Sequence, residues 1–208
     1  MKIAILGWGS PIWDPKSLRL DDGVWHPDGP LLPIEFARTP PAELSPVLCA
    51  EPWVLNVQTF WTQSACDDIR GACGDLAARE EILPEQIGYL NRNDGQRIAP
   101  LISADGAHEL TDIVRDRIGQ WLQANQDFDA VIWIDSRANW GDRQLPPPPT
   151  SADRVVEYLG GLTGDAASKS QQNLQSAPFS FGQLSAGGWR RSPTGGRSPL
   201  AGSGLPTI

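Results

Sequence analysis

One carboxylate in this sequence falls where a charge is expensive. The spacing from Ser64 to Leu83, stopped by Pro84, predicts an amphipathic helix, with Ser64 as its cap and Asp67 completing a near capping box. On a wheel of about 100° per residue with Ile69 at zero, Cys73 lies near about +40°, Leu76 about −20° and Leu83 about −40°. Glu80 lies at about +20°, inside the apolar stripe, whereas Asp68, Arg70, Asp75, Arg79 and Glu81 fall outside it. Apolar surroundings lift a carboxyl toward neutrality, where it can both take and give a proton. The structural alternatives are an ion pair with an arginine, a bond to a backbone N–H, or a helix weakened by Gly71 and Gly74 that frays before Glu80.

The second chemical element is the turn Gly7-Trp8-Gly9-Ser10-Pro11 after a short apolar run. Glycines let backbone N–H groups approach an anion closely. The dinucleotide fingerprint fails, because Ile12 stands where its last glycine belongs, and Pro11, Trp13 and Pro15 oppose a helix starting here. Ser10 is not in a nucleophile elbow, and only His26 and His108 could serve it as bases, which argues against serine-hydrolase chemistry. The alternative for the turn is a plain tight loop.

The elements that must position these residues follow from periodicity. Lys2–Leu6 reads as a buried first strand, and residues 13–33 as loop. Ile34–Arg38 and Pro46–Ala50 read as short strands, and Trp53–Trp61 as one longer strand. Ile87–Asn91 and Arg97–Ile102 read as strands joined at Asn93-Asp94-Gly95. A second helix is expected over Ala107–Ala124, with Leu110, Ile113, Val114, Ile118 and Trp121 inward. Asp129–Asp135 is a further buried strand, Pro146–Pro149 a stiff spacer, and Asp153–Leu159 a last short helix. The sum is an α+β domain over residues 1–165.

Composition sets the limits. The 208 residues carry a net charge of −8, divided as −12 over residues 1–165 and +4 over 166–208. A negative surface repels a phosphate backbone, so nucleic acid is not an expected partner. Three cysteines, Cys49, Cys66 and Cys73, form no C-x-x-C pair and read as buried thiols of a reducing compartment. The run Ile3–Leu6 is too short for a signal-peptide core and nothing later approaches a membrane span, so a cytoplasmic protein without membrane contact is expected. Beyond Gly160 the composition turns to Gly, Ser, Pro, Gln and Arg, so residues 166–208 are expected to form a low-complexity, disordered tail. Deletion after about Gly164 is expected to leave the fold intact.

Leu6-Gly7-Trp8-Gly9-Ser10 followed by Ile12-Trp13-Asp14-Pro15 resembles the "YGSL-x-W" opening of the γ-glutamylcyclotransferase superfamily, closest to its ChaC-type, glutathione-specific branch. Leu76-Ala77-Ala78-Arg79-Glu80 with Gly88-Tyr89 resembles that branch's "VRE…GGY" segment, whose glutamate is catalytic and falls on Glu80. The sequence departs from the pattern at Trp8, in place of tyrosine, at Pro11, in place of leucine, and in a longer gap from Glu80 to Gly88. The resemblance implies a mixed β-barrel core flanked by helices, with Glu80 catalytic and Gly7, Trp8, Gly9, Ser10 and Pro11 binding substrate. It implies cyclisation of a γ-glutamyl group to 5-oxoproline with release of an amine, from glutathione or a γ-glutamyl amino acid, needing no metal or cofactor. Two alternatives remain at this point: a non-catalytic small-ligand module of the same fold, and a protein–protein adaptor using exposed tryptophans and Pro146–Pro149.

Overall fold

Ile3–Gly7 (β1) and Ala130–Ile134 (β7) are apolar throughout, and they lie side by side in parallel at the centre of a four-stranded sheet. Strands buried on both faces need such continuous runs. The computed structural model describes residues 1–39, 43–48, 54, 56–93, 107–135 and 160–177. Within them the chain is a mixed α+β fold of two sheets and three α-helices. The expected strand Arg97–Ile102, the spacer Pro146–Pro149 and the expected helix Asp153–Leu159 lie outside the described residues, as do residues 178–208.

The first sheet has the order β5-β1-β7-β6, with β5 at Phe60–Gln63 and β6 at Ile87–Asn91, each antiparallel to its neighbour. Its alternating side chains build two cores. Ile3, Ile5, Ala130 and Ile132 pack with Ala72, Cys73, Leu76 and Ala77 of Ile69–Glu80 (α1). Ala4, Leu6, Val131 and Trp133 pack on the other side with Val114, Ile118 and Trp121 of Ala107–Ala124 (α2) and with the second sheet. That sheet has the order β3-β2-β4, all antiparallel, formed by Leu31–Thr39 (β2), Glu43–Leu48 (β3) and Asn56–Gln58 (β4). Among the described residues the strands form these two open sheets and no closed barrel, which corrects the barrel-like core implied by the resemblance.

Four local expectations also change. The strand foreseen over Trp53–Trp61 is broken at Thr59, where the chain passes from the second sheet to the first. Thr59 is fully buried, its hydroxyl donates to Pro30 O at 2.7 Å, and its carbonyl accepts from Gly29 N–H at 3.0 Å. The cap of α1 is Asp68, whose carboxylate accepts from Gly71 N–H at 2.8 Å. Ser64 instead lies buried in a bridge with Leu20. Third, α1 stops at Glu80 rather than near Leu83: Glu81 takes a left-handed conformation (φ 58°), and Ile82 N–H reaches back to Ala77 O at 3.1 Å in a Schellman closure. Finally, Ile113 of α2 is 38% exposed rather than inward, while Val114, Ile118 and Trp121 are buried.

The largest departure lies past the expected domain boundary at residue 165. Gly164–Ser176 forms a helix (α3), so the first residues of the expected tail are folded against β3. β3 is an edge strand, and an edge leaves backbone groups without ladder partners. Ser170 Oγ accepts from Leu44 N–H at 2.8 Å, and Asn173 Nδ2 donates to Leu44 O at 3.0 Å and to Ser45 Oγ at 3.1 Å. Both side chains are buried, beside Ala177 and Leu174. Polar residues do here what an apolar stripe does elsewhere, which is why hydrophobic periodicity gave no sign of the helix.

The outward direction of the Leu44 groups sets the register of the β2–β3 pair. Its partner Arg38 is then also turned away from β3, and so, two residues back, is Phe36, opposite Pro46. Pro46 therefore loses no ladder bond by lacking an N–H. Phe36 N–H lies beyond the reach of β4, whose pairing with β2 ends at Pro33, and donates to Glu35 Oε1 at 2.8 Å. Glu35 is only 7% exposed, and burial pushes its carboxyl up to about 7, against the lowering effect of that hydrogen bond.

Candidate functional site

The turn after β1 is held closed from three sides. Ser10–Ile12 forms one 3-10 turn, in which Ile12 N–H donates to Gly9 O at 3.1 Å and Asp14 N–H to Ser10 O at 2.8 Å. Trp8 is buried, and its indole N–H donates to Pro46 O at 3.2 Å, on the open edge of β3. Gly7 and Gly9 both have negative-side or extended backbones, so they are not glycines for a left-handed turn. They are glycines for close approach: a Cβ on Gly7 would collide with the Trp25 ring, and one on Gly9 would lie 3.1 Å from Pro46 Cγ. Pro11 is buried within the turn. Among the described residues nothing accepts the backbone N–H groups of Gly9 and Ser10.

Helix α1 brings its last two residues to this turn. Arg79 is 3% exposed, although the wheel placed it outside the apolar stripe. The stripe is wider than the sheet alone requires, because residues 10–19 cover a second flank of α1; Arg19 N–H, for example, donates to Asp75 at 2.8 Å. Arg79 donates to Ser10 Oγ at 2.9 Å, to Asp14 O and to the Glu80 carboxylate. Its Nε is buried without a partner. Because Ser10 Oγ accepts from Arg79, its own proton remains available to an acceptor.

Glu80 lies beside this cluster, but it is neither deeply buried nor unpaired: its side chain is 19% exposed and forms an ion pair with Arg79. Burial pushes the Glu80 carboxyl up. The charge and hydrogen bond of Arg79, and then Lys16, oppose the rise, and Glu43 reinforces it. Glu43, at the start of β3, accepts from Ser45 Oγ at 3.2 Å and lies 3.6 Å from Lys169 Nζ of α3. Lys16 reaches the exposed Glu81 at 3.5 Å. The arrangement thus offers a partly exposed carboxylate and a serine hydroxyl joined through Arg79. It can exchange a proton at Glu80 and hold a carboxylate at the turn.

Sequence reasoning missed Arg79, Glu43 and Lys16. The signal for Arg79 was its position beside Glu80 in the quoted segment; none existed for Glu43, which reaches the cluster only through sheet packing. Gly88, the other half of that segment, does not join the cluster. It pairs with Trp133 across β6 and β7, and the Trp133 ring lies over it so closely that any Cβ would collide. His26, one of the two candidate bases for Ser10, stacks on Trp61 with ring centroids 4.1 Å apart and forms a bridge with that residue; the other, His108, lies in the first turn of α2. Among the described residues no group of three or more His, Cys, Asp or Glu is placed to hold a metal ion, and no helix is long and apolar enough to cross a membrane.

Comparison with known proteins adds no relative: no family model matches the sequence, and neither a curated protein nor a solved structure matches it.

Proposed function

We propose that the chain is a γ-glutamylcyclotransferase-like enzyme that cyclises a γ-glutamyl group to 5-oxoproline and releases an amine. The observation that carries this reading is the juxtaposition of Glu80 with the Ser10 turn through Arg79, since the first motif and the Arg79-Glu80 half of the second, separate in sequence, meet at this point. Glu80 takes a proton from the substrate's α-ammonium. The freed amine attacks its own γ-carbonyl carbon, closing a five-membered ring. The C–N bond to the leaving amine then breaks as Glu80 gives its proton to that nitrogen; the ring nitrogen passes its second, now acidic, proton to Glu80, which hands it on, so that a neutral lactam is left and the amine departs as ammonium. The Ser10 hydroxyl and the N–H groups of Gly9 and Ser10 hold the α-carboxylate, and ring closure gains from holding the folded conformer. On this reading the two-sheet core is a γ-glutamylcyclotransferase-like fold, and the buried free thiols of Cys66 and Cys73 fit a reducing, cytoplasmic setting.

A second reading rests on the same ion pair. Arg79–Glu80 is what a structural latch would also use, and the protein would then be a binding module without chemistry. Incubation with glutathione and a panel of γ-glutamyl amino acids, read as 5-oxoproline, separates the two. The enzyme reading expects turnover that Glu80→Gln lowers by about 100-fold or more. Absence of 5-oxoproline from every compound, with ligand binding retained, would establish the module instead.

A further inference from the structure

Arg79 carries a charge that cannot be released by deprotonation, and the fold has buried it almost completely. Such a group persists where its partners are fixed. Its partners come from three places: Glu80 at the end of α1, Ser10 in the 3-10 turn, and the Asp14 carbonyl just after that turn. Successive helical residues point about 100° apart, yet the Arg79 guanidinium reaches the Glu80 carboxylate at the end of α1. There the C-terminal dipole also favours a cation.

We propose that Arg79 is the positioning residue of this site: its guanidinium fork ties the Glu80 carboxylate to the Ser10 hydroxyl, so that proton-transfer group and ligand-holding turn keep one fixed geometry. The proposal rests on the enzyme reading only where Glu80 is called the base; the tether itself does not need it. A lysine could reach one of these acceptors with its charge but could not span Ser10, Asp14 and Glu80 at once. The charge has a separate effect. Burial and the neighbouring Glu43 push Glu80 toward its neutral form, and Arg79 and Lys16 push it back. Of the other charges nearby, Lys169 is paired with Glu43 and Glu81 with Lys16. Among the described residues Arg79 is thus the only one of the facing cations that is itself buried against Glu80.

The two effects separate in three variants of the full chain, each carrying 13C-labelled glutamate, with Glu80→Gln used to assign the Glu80 carboxyl signal. Arg79→Gln removes fork and charge, and the Glu80 titration midpoint should rise by at least about one pH unit, a tenfold change in proton affinity. Arg79→Lys should restore most of that shift. Ser10→Ala leaves both charges and should leave the midpoint in place. In the 5-oxoproline assay Arg79→Lys and Ser10→Ala should both raise KM by about tenfold, as expected from loss of one charge-assisted hydrogen bond, while the acid limb of the kcat profile stays where it is. Only Arg79→Gln should move that limb to higher pH. An Arg79 that merely braces the fold would lower Tm in both arginine variants with the Glu80 midpoint unmoved, and that result overturns the proposal. Should Arg79→Gln not fold, an unchanged KM in Arg79→Lys and Ser10→Ala overturns it equally. Should the native chain make no 5-oxoproline, the enzyme reading fails, and a Glu80 midpoint left unmoved by Arg79→Gln still overturns the proposal.

Discussion

Glu35 offers the sharpest test of the packing, because its cost can be worked out. Its carboxyl titrates in the folded protein at about 7 against an ordinary 4.5, and the cause is burial. Below pH 4.5 the group is protonated in both folded and unfolded chains. Between 4.5 and 7 the folded chain holds the proton more tightly, so stability falls as pH rises through that window. Above 7 the loss is complete, at about 3 kcal/mol from about 1.4 kcal/mol per pH unit. The group is only 7% exposed, so solvent screening offsets little of this. Glu35→Gln removes the charge and keeps an oxygen for Phe36 N–H, which now donates to it at 2.8 Å. The variant should match the native chain near pH 4 and exceed it by about 2–3 kcal/mol at pH 8, a rise in Tm of roughly 5–10 °C for a chain of this size. Urea or thermal melts of the two proteins from pH 4 to pH 8 measure this difference, in which the other carboxylates cancel. A gap that does not grow between pH 4.5 and 7, or a variant less stable at pH 8, would refute the assignment of Glu35 as an inadequately compensated buried acid.

Four further outcomes follow from named contacts. Asn173→Ala should lower stability by about 1–2 kcal/mol, because Leu44 O is then left without its donor, and Ser170→Ala should do the same through Leu44 N–H; removal of residues 164–208 should cost more than either, in urea melts, contrary to a dispensable tail. Glu81→Gly should raise stability by up to about 1 kcal/mol in the same melts, because glycine relieves the left-handed strain at φ 58° and the lost Lys16 pair is exposed and weak.

The sequence read most clearly where one periodicity had one cause. β1, β7, β6 and α2 bury apolar runs or stripes, and their positions follow from that. Thr59 defeats the same logic: alternation continues through Val57, Thr59 and Trp61, but the chain changes sheets there, and what fixes the break is a pairing with Gly29 and Pro30 that no local pattern encodes. The wheel found Glu80 because its angle is central to the buried arc, and misjudged its burial because Glu80 is the last turn's end, where the sheet no longer covers it. It misplaced Arg79 for the opposite reason, since the cover on that flank is a loop, residues 10–14, rather than a regular element. Glu35 was invisible for a simpler reason. A glutamate in a strand reads as a solvent-facing residue, and only the end of β4 at Pro33 explains why its carboxylate is needed beside Phe36 N–H.

The edge of β3 links these errors. An edge strand must satisfy outward backbone groups, and this one does so with side chains from distant parts of the sequence: Ser170 and Asn173 at Leu44, and Trp8 at Pro46. The Trp8 bond has a consequence for the site. It fastens the turn after β1 to the second sheet, while Arg79 fastens the same turn to α1. The turn thus joins the first sheet, the second sheet and α1 through polar contacts. Tryptophan at position 8 serves this joint, since its buried indole N–H donates to the Pro46 carbonyl, which has no strand beside it. Glycine at position 9 serves it too, because Pro46 occupies the space a side chain would need. The residues of the glycine turn thus have structural reasons to be what they are. Of the groups in this cluster, the partly exposed Glu80 carboxylate and the Ser10 proton are what that packing leaves available to a ligand.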